Sequence, residues 1–286
     1  MENNILVIGA LGNVGTEVVK CLQAKGVPLR AADLFPEKIS ARFGNDVAAV
    51  RFDFKNPETY AAAFSGIQKC FLMRPPHIAD IQKEMIPALE AAKAAGVRQF
   101  VFLSLIGIEQ NKVVPHYKVE QWLLSAGVDY TFLRCSFFMQ NLNTVHRDEI
   151  RDRDEIFIPV GNAKTSFLDV RDIGCVAALT LTETGHERKT YDLTGSEALD
   201  YYQVADQFSQ ILGRRIIYKN PSAGMFFFRQ LQNKTKLMFA LVTTWLYSNT
   251  RKGMADTVTD EVERLLGRKP IRMLQYIGDY KESWLK

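Results

Sequence analysis

Short apolar runs typical of β-strands alternate with helical patterns along most of the chain up to residue 180. The strand patterns cover 5–9, 28–33, 48–53, 69–73, 99–104 and 129–134, and the helical patterns between them cover 15–26, 57–66, 81–96 and 117–127. Because the strands are apolar along nearly their whole length, both faces of their sheet must be covered. We therefore predict βαβ units that build a parallel sheet with helices on both sides.

The pattern changes after residue 196. The stretch 200–220 is typical of a helix, a glycine turn and a short strand, and an aromatic-rich helical region follows it. We predict a sheet domain over 1–196 and a smaller, mainly helical C-terminal lobe over 197–286, to which 137–165 contributes. The charged run at 147–155 is expected to be a solvated helix end or loop.

Composition excludes several classes of protein. Hydrophobic residues make up 47% of the 286 residues, and the net charge of +4 is dispersed without a basic run, so nucleic acid is not an expected partner. The longest apolar stretch, 237–247, is too short to span a membrane. The acidic Glu2 and the short apolar run at 5–8 argue against a signal peptide. We expect a cytoplasmic protein without a membrane partner.

The cysteines stand far apart in apolar stretches, at Cys21, Cys70, Cys135 and Cys175. No pair has the spacing of a metal site, so no metal is expected. We expect all of these side chains to be buried free thiols in a reducing cytosol.

The first strand runs into three glycines spaced G-x-x-G-x-x-G, namely Gly9, Gly12 and Gly15, and a helix follows. Such a turn lets a pyrophosphate approach backbone N–H groups at the start of a helix, where the helix dipole favours negative charge. The motif therefore predicts a dinucleotide site. The expected contacts from this turn are Gly9, Leu11, Gly12, Asn13, Val14 and Gly15.

Further stretches, in order "FVFLSLIG", "GVDYTFLRCSFFMQN", "SFLDVRDIGCVAALTLTETG" and "LLGRKP", resemble landmarks of the NmrA-like family of atypical short-chain dehydrogenases. The segment 219–256 lies outside this resemblance. The resemblance implies a Rossmann-type, doubly wound parallel sheet that binds NAD(P). Some family members are reductases of quinones, azo dyes or related compounds, and others are redox-sensing regulators without evident catalysis.

The end of the second strand bears on the choice of dinucleotide. Family members that prefer NADP resemble "VRNPEK" here, whereas this chain has "DLFPEK", so Asp33 replaces an apolar residue and Leu34 replaces the arginine. A carboxylate accepts hydrogen bonds from ribose hydroxyls and repels a 2′-phosphate. We therefore expect NAD to be favoured over NADP, although Arg30 and Lys38 keep NADP possible. Asp33 as a plain turn residue is the alternative.

Ligands of open α/β sheets bind at the carboxyl ends of the strands, which predicts further cofactor contacts. In chain order these are Asp53 and Phe54 at the adenine, Arg74 and Pro75 near the pyrophosphate and nicotinamide ribose, and Ser104, Ser136 and Phe137 beside the nicotinamide.

The chain lacks the Tyr-x-x-x-Lys pair of conventional short-chain dehydrogenases, because none of its ten tyrosines has a lysine four residues later. A sugar-nucleotide epimerase is therefore disfavoured. The related isoflavone-type reductases place a catalytic lysine at the position of His116, which makes His116 the candidate catalytic residue. The alternative is a structural pairing of His116 with Glu120.

Phe138, Met139 and Asn141 follow the sixth strand and are expected to line a substrate cleft, together with aromatic residues of 224–247. Plain core packing is the alternative for each. Two functions fit: an NAD(P)H-dependent reductase of a flat apolar acceptor such as a quinone or azo dye, and a non-catalytic dinucleotide sensor that acts through a regulatory protein partner. A cleft built by 224–247 favours the enzyme, and exposure of that stretch favours the sensor.

Overall fold

The structure is a computed structural model that describes residues 4–286, so Glu2 and the argument built on it lie outside the described residues. The chain forms two compact units. The first comprises the described residues up to Cys135 with Val170–Leu193 and Arg264–Gly267, and the second comprises Ser136–Asp169, Thr194–Glu263 and Arg268–Lys286.

The strands within the described range are β1 (Ile5–Ile8), β2 (Arg30–Asp33), β3 (Ala48–Arg51), β4 (Lys69–Leu72), β5 (Gln99–Leu105), β6 (Asp129–Cys135), β7 (Phe137–Phe138), β8 (Glu155–Ile156), β9 (Thr165–Leu168), β10 (Lys189–Leu193), β11 (Ala198–Leu199) and β12 (Ile217–Tyr218). The α-helices are α1 (Asn13–Ala24), α2 (Pro36–Phe43), α3 (Tyr60–Phe64), α4 (Ile81–Glu84), α5 (Ile86–Ala94), α6 (Pro115–Ser125), α7 (Arg147–Arg153), α8 (Val170–Thr182), α9 (Tyr201–Leu212), α10 (Ala223–Gln232), α11 (Leu237–Thr250), α12 (Glu261–Leu266) and α13 (Met273–Asp279). Short 3-10 helices lie at Pro57–Thr59, Ile108–Gln110, Met139–Asn141 and Lys281–Trp284.

The first unit is built on a seven-stranded sheet in the order β3-β2-β1-β4-β5-β6-β10. Every pair of neighbouring strands is parallel, with Val7 opposite both Ala31 and Phe71. The strand order reverses between β1 and β4, which is the switch point where doubly wound sheets bind their ligands. The predicted Rossmann-type fold is confirmed. The edge strand β10 was not predicted, because its first two residues are exposed and its apolar pattern is short.

Helices cover both faces of this sheet. On one side, α3, α5 and α6 pack over a core of alternate strand residues such as Leu6, Leu72, Phe100 and Phe132. On the other side, α1 and α8 pack against each other and against the sheet. The approach is close because a Cβ on Gly174 of α8 would lie 2.6 Å from the backbone of Glu17 in α1.

A disulfide joins these two helices. Cys21 of α1 and Cys175 of α8 are bonded, with their Cα atoms 5.4 Å apart, within the ordinary range for a disulfide. Cys70 and Cys135 are buried free thiols, and burial raises the pKa of both. The expectation of four free thiols is therefore wrong for Cys21 and Cys175. Positions 154 residues apart gave no sign in the sequence that the helix packing brings them together.

The second unit has small sheets and helices around its own core. β9 pairs in parallel with β7 and antiparallel with β11, and β8 pairs in parallel with β12. Helix α9 begins at a capping box formed by Asp200 and Gln203 and ends at Gly213 in the left-handed region. Its buried face packs with Trp284 and neighbours in the core.

The charged run 147–155 is a helix followed by the start of β8, and it is not merely solvated. Ile150 of α7 is fully buried, and Glu155 is 8% exposed and paired with Arg229. Among the described residues, no helix is both long and apolar enough to cross a membrane. Residues 4–286 also contain no cluster of His, Cys, Asp and Glu suited to a metal ion.

Candidate functional site

The glycine turn lies at the carboxyl end of β1, next to the switch point of the sheet. Gly9 has a φ of +74°, a backbone conformation that favours glycine, and its N–H donates to the carbonyl of Ala32 at 2.9 Å. The N–H of Gly12 then donates to the Gly9 carbonyl at 2.9 Å, which closes the turn. A Cβ on Gly15 would overlap that same carbonyl. The chain can fold this tightly only because these positions carry no side chain.

This turn fits the pyrophosphate of a dinucleotide. Helix α1 begins at Asn13, directly after the turn, so the first N–H groups of the helix have no partner within the helix. No side chain covers the backbone at Gly12, where a Cβ would lie 3.2 Å from the Gly9 carbonyl oxygen. A negatively charged group can therefore approach the start of the helix, where the dipole stabilises it. Leu11, Asn13 and Val14 occupy unspecified positions of the motif, between these glycines.

Asp33 connects the end of β2 to the glycine turn. One of its carboxylate oxygens accepts a hydrogen bond from the N–H of Leu11 at 3.1 Å, and the other accepts one from the N–H of Leu34 at 2.8 Å. The side chain is half-buried, and each carboxylate oxygen keeps a second lone pair for a further donor. Asp33 therefore has a structural contact and retains the capacity to accept from ribose hydroxyls.

Arg42, at the end of α2, is a residue that sequence reasoning missed. Its guanidinium donates to the Leu11 carbonyl at 3.2 Å and to the Thr16 hydroxyl at 3.0 Å, while its side chain is exposed. It brings a positive charge beside the glycine turn from a helix whose sequence carries no binding motif.

Arg30 does not reach this site. It begins β2, whereas Asp33 ends it, and its guanidinium donates to the carbonyls of Ala62, Ala63 and Ser65 at 2.8 to 3.2 Å. The expectation that Arg30 is available for a phosphate is wrong, because the side chain lies at the opposite edge of the sheet. The ammonium of Lys38 lies 4.3 Å from the centre of the Phe35 ring, and both side chains are exposed.

The residues after β3 differ in exposure. Asp53 is half-buried and accepts a hydrogen bond from the N–H of Lys55 at 2.9 Å. Phe54 is 4% exposed and packs edge-on against Phe52, with their ring centres 4.8 Å apart. Its carbonyl accepts a hydrogen bond from the hydroxyl of Tyr60. The Phe54 ring thus belongs to the core, and its contact with the adenine stays a prediction.

Arg74 and Pro75 follow β4 on the far side of the switch point. The Arg74 guanidinium donates to the carbonyls of Pro75 at 3.0 Å and Ile78 at 2.6 Å, so it folds the loop back on itself. Its Nε is buried without a hydrogen-bond partner, and burial lowers the pKa of Arg74. A partly desolvated cation with a free N–H is suited to a phosphate or a ribose oxygen.

Ser104 at the end of β5 belongs to a buried polar group with Glu120 of α6 and Arg134 of β6. The Ser104 hydroxyl donates to the Glu120 carboxylate at 2.6 Å, and Arg134 donates to both carboxylate oxygens at 3.2 and 2.8 Å. Glu120 is 2% exposed, so this pairing satisfies a buried charge. Sequence reasoning named Ser104 and Glu120 but missed Arg134, which follows apolar strand residues without any special spacing.

His116 lies in the first turn of α6, at the carboxyl edge of the sheet. It is not paired with Glu120, so that alternative is wrong: Ser104 and Arg134 occupy the carboxylate. The Nδ1 atom of His116 is buried and has no hydrogen-bond partner. Burial and, to a smaller extent, the positive charge of Arg74 lower the pKa of His116 to about 3. The imidazole is therefore neutral at physiological pH and available as a hydrogen-bonding group.

The remaining predicted residues belong to the second unit. The Ser136 hydroxyl donates to the carbonyl of Ser166 at 2.6 Å, and Phe137 stacks on Tyr247 with ring centres 6.3 Å apart. Phe138 is half-buried in β7, and Met139 is 2% exposed in the core of this unit. The Asn141 carbonyl accepts from the N–H of His146 at 3.0 Å.

The stretch 224–247 divides into two faces. Phe226 and Tyr247 pack against each other inside the second unit, with their ring centres 5.5 Å apart. Met225, Phe228 and Trp245 are between 53 and 66% exposed. The stretch is thus only partly core, and its outer face is an apolar surface.

Several known proteins with similar sequences or structures are reductases or oxidoreductases. A model of the NmrA-like family matches residues 1–276. An NAD(P)H azoreductase from Xenophilus azovorans is 36% identical over 222 residues, which cover 75% of this chain and 76% of that protein.

Two solved structures share the fold. The triphenylmethane reductase of Citrobacter sp., complexed with NADP(H), superposes with a TM-score of 0.85 at 24% identity, covering 96% of this chain and 99% of that one. The NADPH-dependent quinone oxidoreductase of Escherichia coli, complexed with NADPH, gives a TM-score of 0.87 at 22% identity, covering 97% and 99%.

Proposed function

The chain belongs to the NmrA-like family, and from that premise we propose that it is an NAD(P)H-dependent reductase of a flat apolar acceptor, such as a quinone or an azo dye. The observation that carries the proposal is the composition of one sheet edge. The carboxyl ends of the parallel strands present the glycine turn, Asp33, Arg74 and a neutral His116 along the same edge. The similarity to an NAD(P)H azoreductase supports the acceptor class.

The residues of this edge divide the work of binding. The turn from Gly9 to Gly15 receives the pyrophosphate, and Asp33 accepts hydrogen bonds from the adenosine ribose. Arg74 balances part of the phosphate charge from the other side of the switch point. When it is bound, NAD(P)H supplies the hydride.

His116 is proposed as the catalytic residue. Because its imidazole is neutral, it donates or accepts one hydrogen bond and does not act as a charged acid at neutral pH. Its Nδ1 is buried and has no hydrogen-bond partner within the protein, and we propose that it bonds an oxygen or nitrogen atom of the acceptor when the acceptor binds. Quinones and azo groups can take their proton from water, so the missing Tyr-x-x-x-Lys pair does not prevent reduction.

We propose a preference for NAD over NADP. The Asp33 carboxylate at the end of β2 repels a 2′-phosphate, and the exposed Leu34 offers it no positive charge. Arg42 is the basic side chain that works against this preference, since it lies beside the glycine turn with an exposed guanidinium.

A second candidate function is a sensor that binds the dinucleotide without turnover and acts through a partner. The exposed outer face of 224–247 favours it, because an enzyme does not need an apolar surface open to solvent.

The decisive experiment measures NADH and NADPH oxidation by the full chain against a panel of quinones and azo dyes. The proposal predicts acceptor-dependent turnover in the wild type, loss of turnover together with cofactor binding in Gly15→Val, and reduced turnover with retained binding in His116→Ala. Tight cofactor binding without oxidation by any acceptor would support the sensor instead. Unchanged turnover in His116→Ala would make that residue structural.

A further inference from the structure

We propose that the paired helices α10 and α11 form a docking surface for an anionic lipid membrane, on which the helices lie without crossing it. Their exposed face combines large apolar side chains with basic residues at both ends of α11. This property concerns the second unit alone and does not depend on the proposed reductase activity.

The two helices form a hairpin with an inner and an outer side. On the inner side, Phe226 packs edge-on against Tyr247, and the Gln230 amide donates to the Thr243 hydroxyl at 3.0 Å. These contacts fix α11 against α10 and turn the rest of its surface outwards. The outer side is therefore a surface whose orientation is set by the packing of α10 against α11.

The outer side is apolar over a continuous helical stripe. On α11 the exposed residues recur at intervals of three and four, and on α10 they are three residues apart. They are Met225 at 59%, Phe228 at 66%, Leu237 at 58%, Met238 at 70%, Phe239 at 43%, Leu241 at 47%, Val242 at 52%, Trp245 at 53% and Leu246 at 38% exposed. Monomeric proteins rarely leave a large patch of this kind open to water unless something covers it.

The charge around this stripe indicates what kind of partner binds it. Between residues 207 and 255 the chain has eight basic residues and no acidic one, although the whole chain carries only +4. Lys234 and Lys236 precede α11, and Arg251 and Lys252 follow it, all of them exposed. Arg214 pairs with Asp154, and Arg229 pairs with Glu155. By contrast, no carboxylate within residues 4–286 lies at ion-pair distance from Lys234, Lys236, Arg251 or Lys252.

An anionic membrane surface matches both properties. A helix that binds in the interface inserts Phe, Leu and Trp among the acyl chains, while Lys and Arg bind the headgroups. With 14 residues, α11 is too short to span the bilayer but long enough to lie on it. A second copy of this chain is a poorer fit, because it would bring the same unpaired cations face to face.

The test is co-sedimentation of the full chain with vesicles of phosphatidylcholine alone or with about one third phosphatidylglycerol. We expect binding to the anionic vesicles that is at least about tenfold tighter than to neutral ones and that weakens as salt is raised. A double variant Phe228→Ser, Leu241→Ser and a double variant Lys234→Gln, Lys236→Gln should each lose roughly tenfold or more. The matched controls are Leu124→Ser and Lys93→Gln, at exposed positions of the first unit; both should bind normally.

Trp245 provides a second signal that is independent of affinity. Trp284 is fully buried and the Trp122 indole donates to Glu90, so a blue shift of emission on vesicle binding should come from Trp245. Trp245→Leu should bind vesicles and lose the shift. Thermal melting of each variant shows that it is folded.

Three results would overturn the proposal. The first is no binding of the wild type to anionic vesicles. The second is equal binding by the wild type and both double variants. The third is self-association of the wild type without vesicles that is lost in Phe228→Ser, Leu241→Ser, which would make a second copy the occupant.

Discussion

Asp33 and Arg42 act on the same turn with opposite charges. The Asp33 carboxylate accepts a hydrogen bond from the N–H of Leu11, and the Arg42 guanidinium donates one to the carbonyl of the same residue. A 2′-phosphate at this position would meet repulsion from one and attraction from the other. The ratio of NADH to NADPH affinity therefore reports the balance between these two side chains.

We predict that the wild type binds NADH at least several-fold more tightly than NADPH in a fluorescence titration. Asp33→Asn should weaken NADH binding and narrow the ratio, because it removes the ribose acceptor and the repulsion together. Arg42→Gln should weaken NADPH and leave NADH nearly unchanged. Tighter binding of NADPH by the wild type would contradict the assignment of Asp33.

The lowered pKa of His116 predicts that the protein loses stability in acid. Burial lowers the pKa of His116 from its usual 6.5 to about 3, so below pH 6.5 the unfolded chain takes up a proton that the folded chain refuses. The free energy of unfolding must therefore fall as pH falls through this range. For a shift of this size, the loss between pH 7 and pH 5 is about 2 kcal/mol.

The comparison is urea denaturation of the wild type and His116→Gln at pH 7 and pH 5, with exposed His77→Gln as the control. The wild type and His77→Gln should lose stability over this range by more than His116→Gln does. An equal pH dependence in all three proteins would show that His116 is protonated normally in the folded state.

Single residues were predictable where a motif requires them and not where a tertiary contact recruits them. Gly9, Gly12 and Gly15 are dictated by the close approach of backbone to backbone, which leaves a sequence signature. Arg134 and Arg42 reach their partners from separate elements, and nothing in their local sequence marks them. The alternative that paired Glu120 with His116 was wrong for the same reason. Helical spacing suggested His116 as the partner, but the observed partners, Ser104 and Arg134, come from neighbouring strands.

Among the elements, α1 and α8 are joined twice, by close packing at Gly174 and by the Cys21–Cys175 disulfide. The bond closes a loop of 154 residues that includes most of the sheet. Cross-linking a long loop restricts the unfolded chain and stabilises the fold by about 2 to 5 kcal/mol. Helix α1 carries the glycine turn at its start, so the bond also supports the predicted cofactor site.

We predict that reduction lowers the melting temperature by roughly 3 to 8 °C, which is the stabilisation divided by the unfolding entropy of a chain of this size. Calorimetry with and without a phosphine reductant measures it, and the Cys21→Ser, Cys175→Ser variant should melt at the reduced temperature under both conditions. Identical melting of the oxidised and reduced wild type, or four titratable thiols in the unreduced unfolded chain, would contradict the bond.

The elements of the central sheet were predictable because their apolar runs are long and buried. Six of its seven strands were expected close to their observed bounds. The edge strand β10 was not predicted because one side faces solvent. Helix α7 was expected to be a solvated segment because its one fully buried residue, Ile150, lies among charged residues. The expectation of no membrane partner rested on the length of apolar runs, a criterion that does not apply to a helix lying in the membrane surface.

For the whole molecule, the central claim is that the dinucleotide is a reactant and not a signal. The fold, the family and the glycine turn are compatible with both functions. What favours a reactant is the neutral, unpartnered His116 at the same edge as the turn and the similarity to an NAD(P)H azoreductase. The distinction is chemical and requires a measurement of bond breaking at the bound cofactor.

The most direct measurement is a single turnover of enzyme-bound NADH, either unlabelled or deuterated at the transferred position of C4, mixed rapidly with a quinone or azo acceptor. The account predicts that the absorbance of the bound reduced cofactor decays when the acceptor is added, and that it decays more slowly for the deuterated form. If the bound cofactor stays reduced with every acceptor of this class, the reductase assignment is wrong.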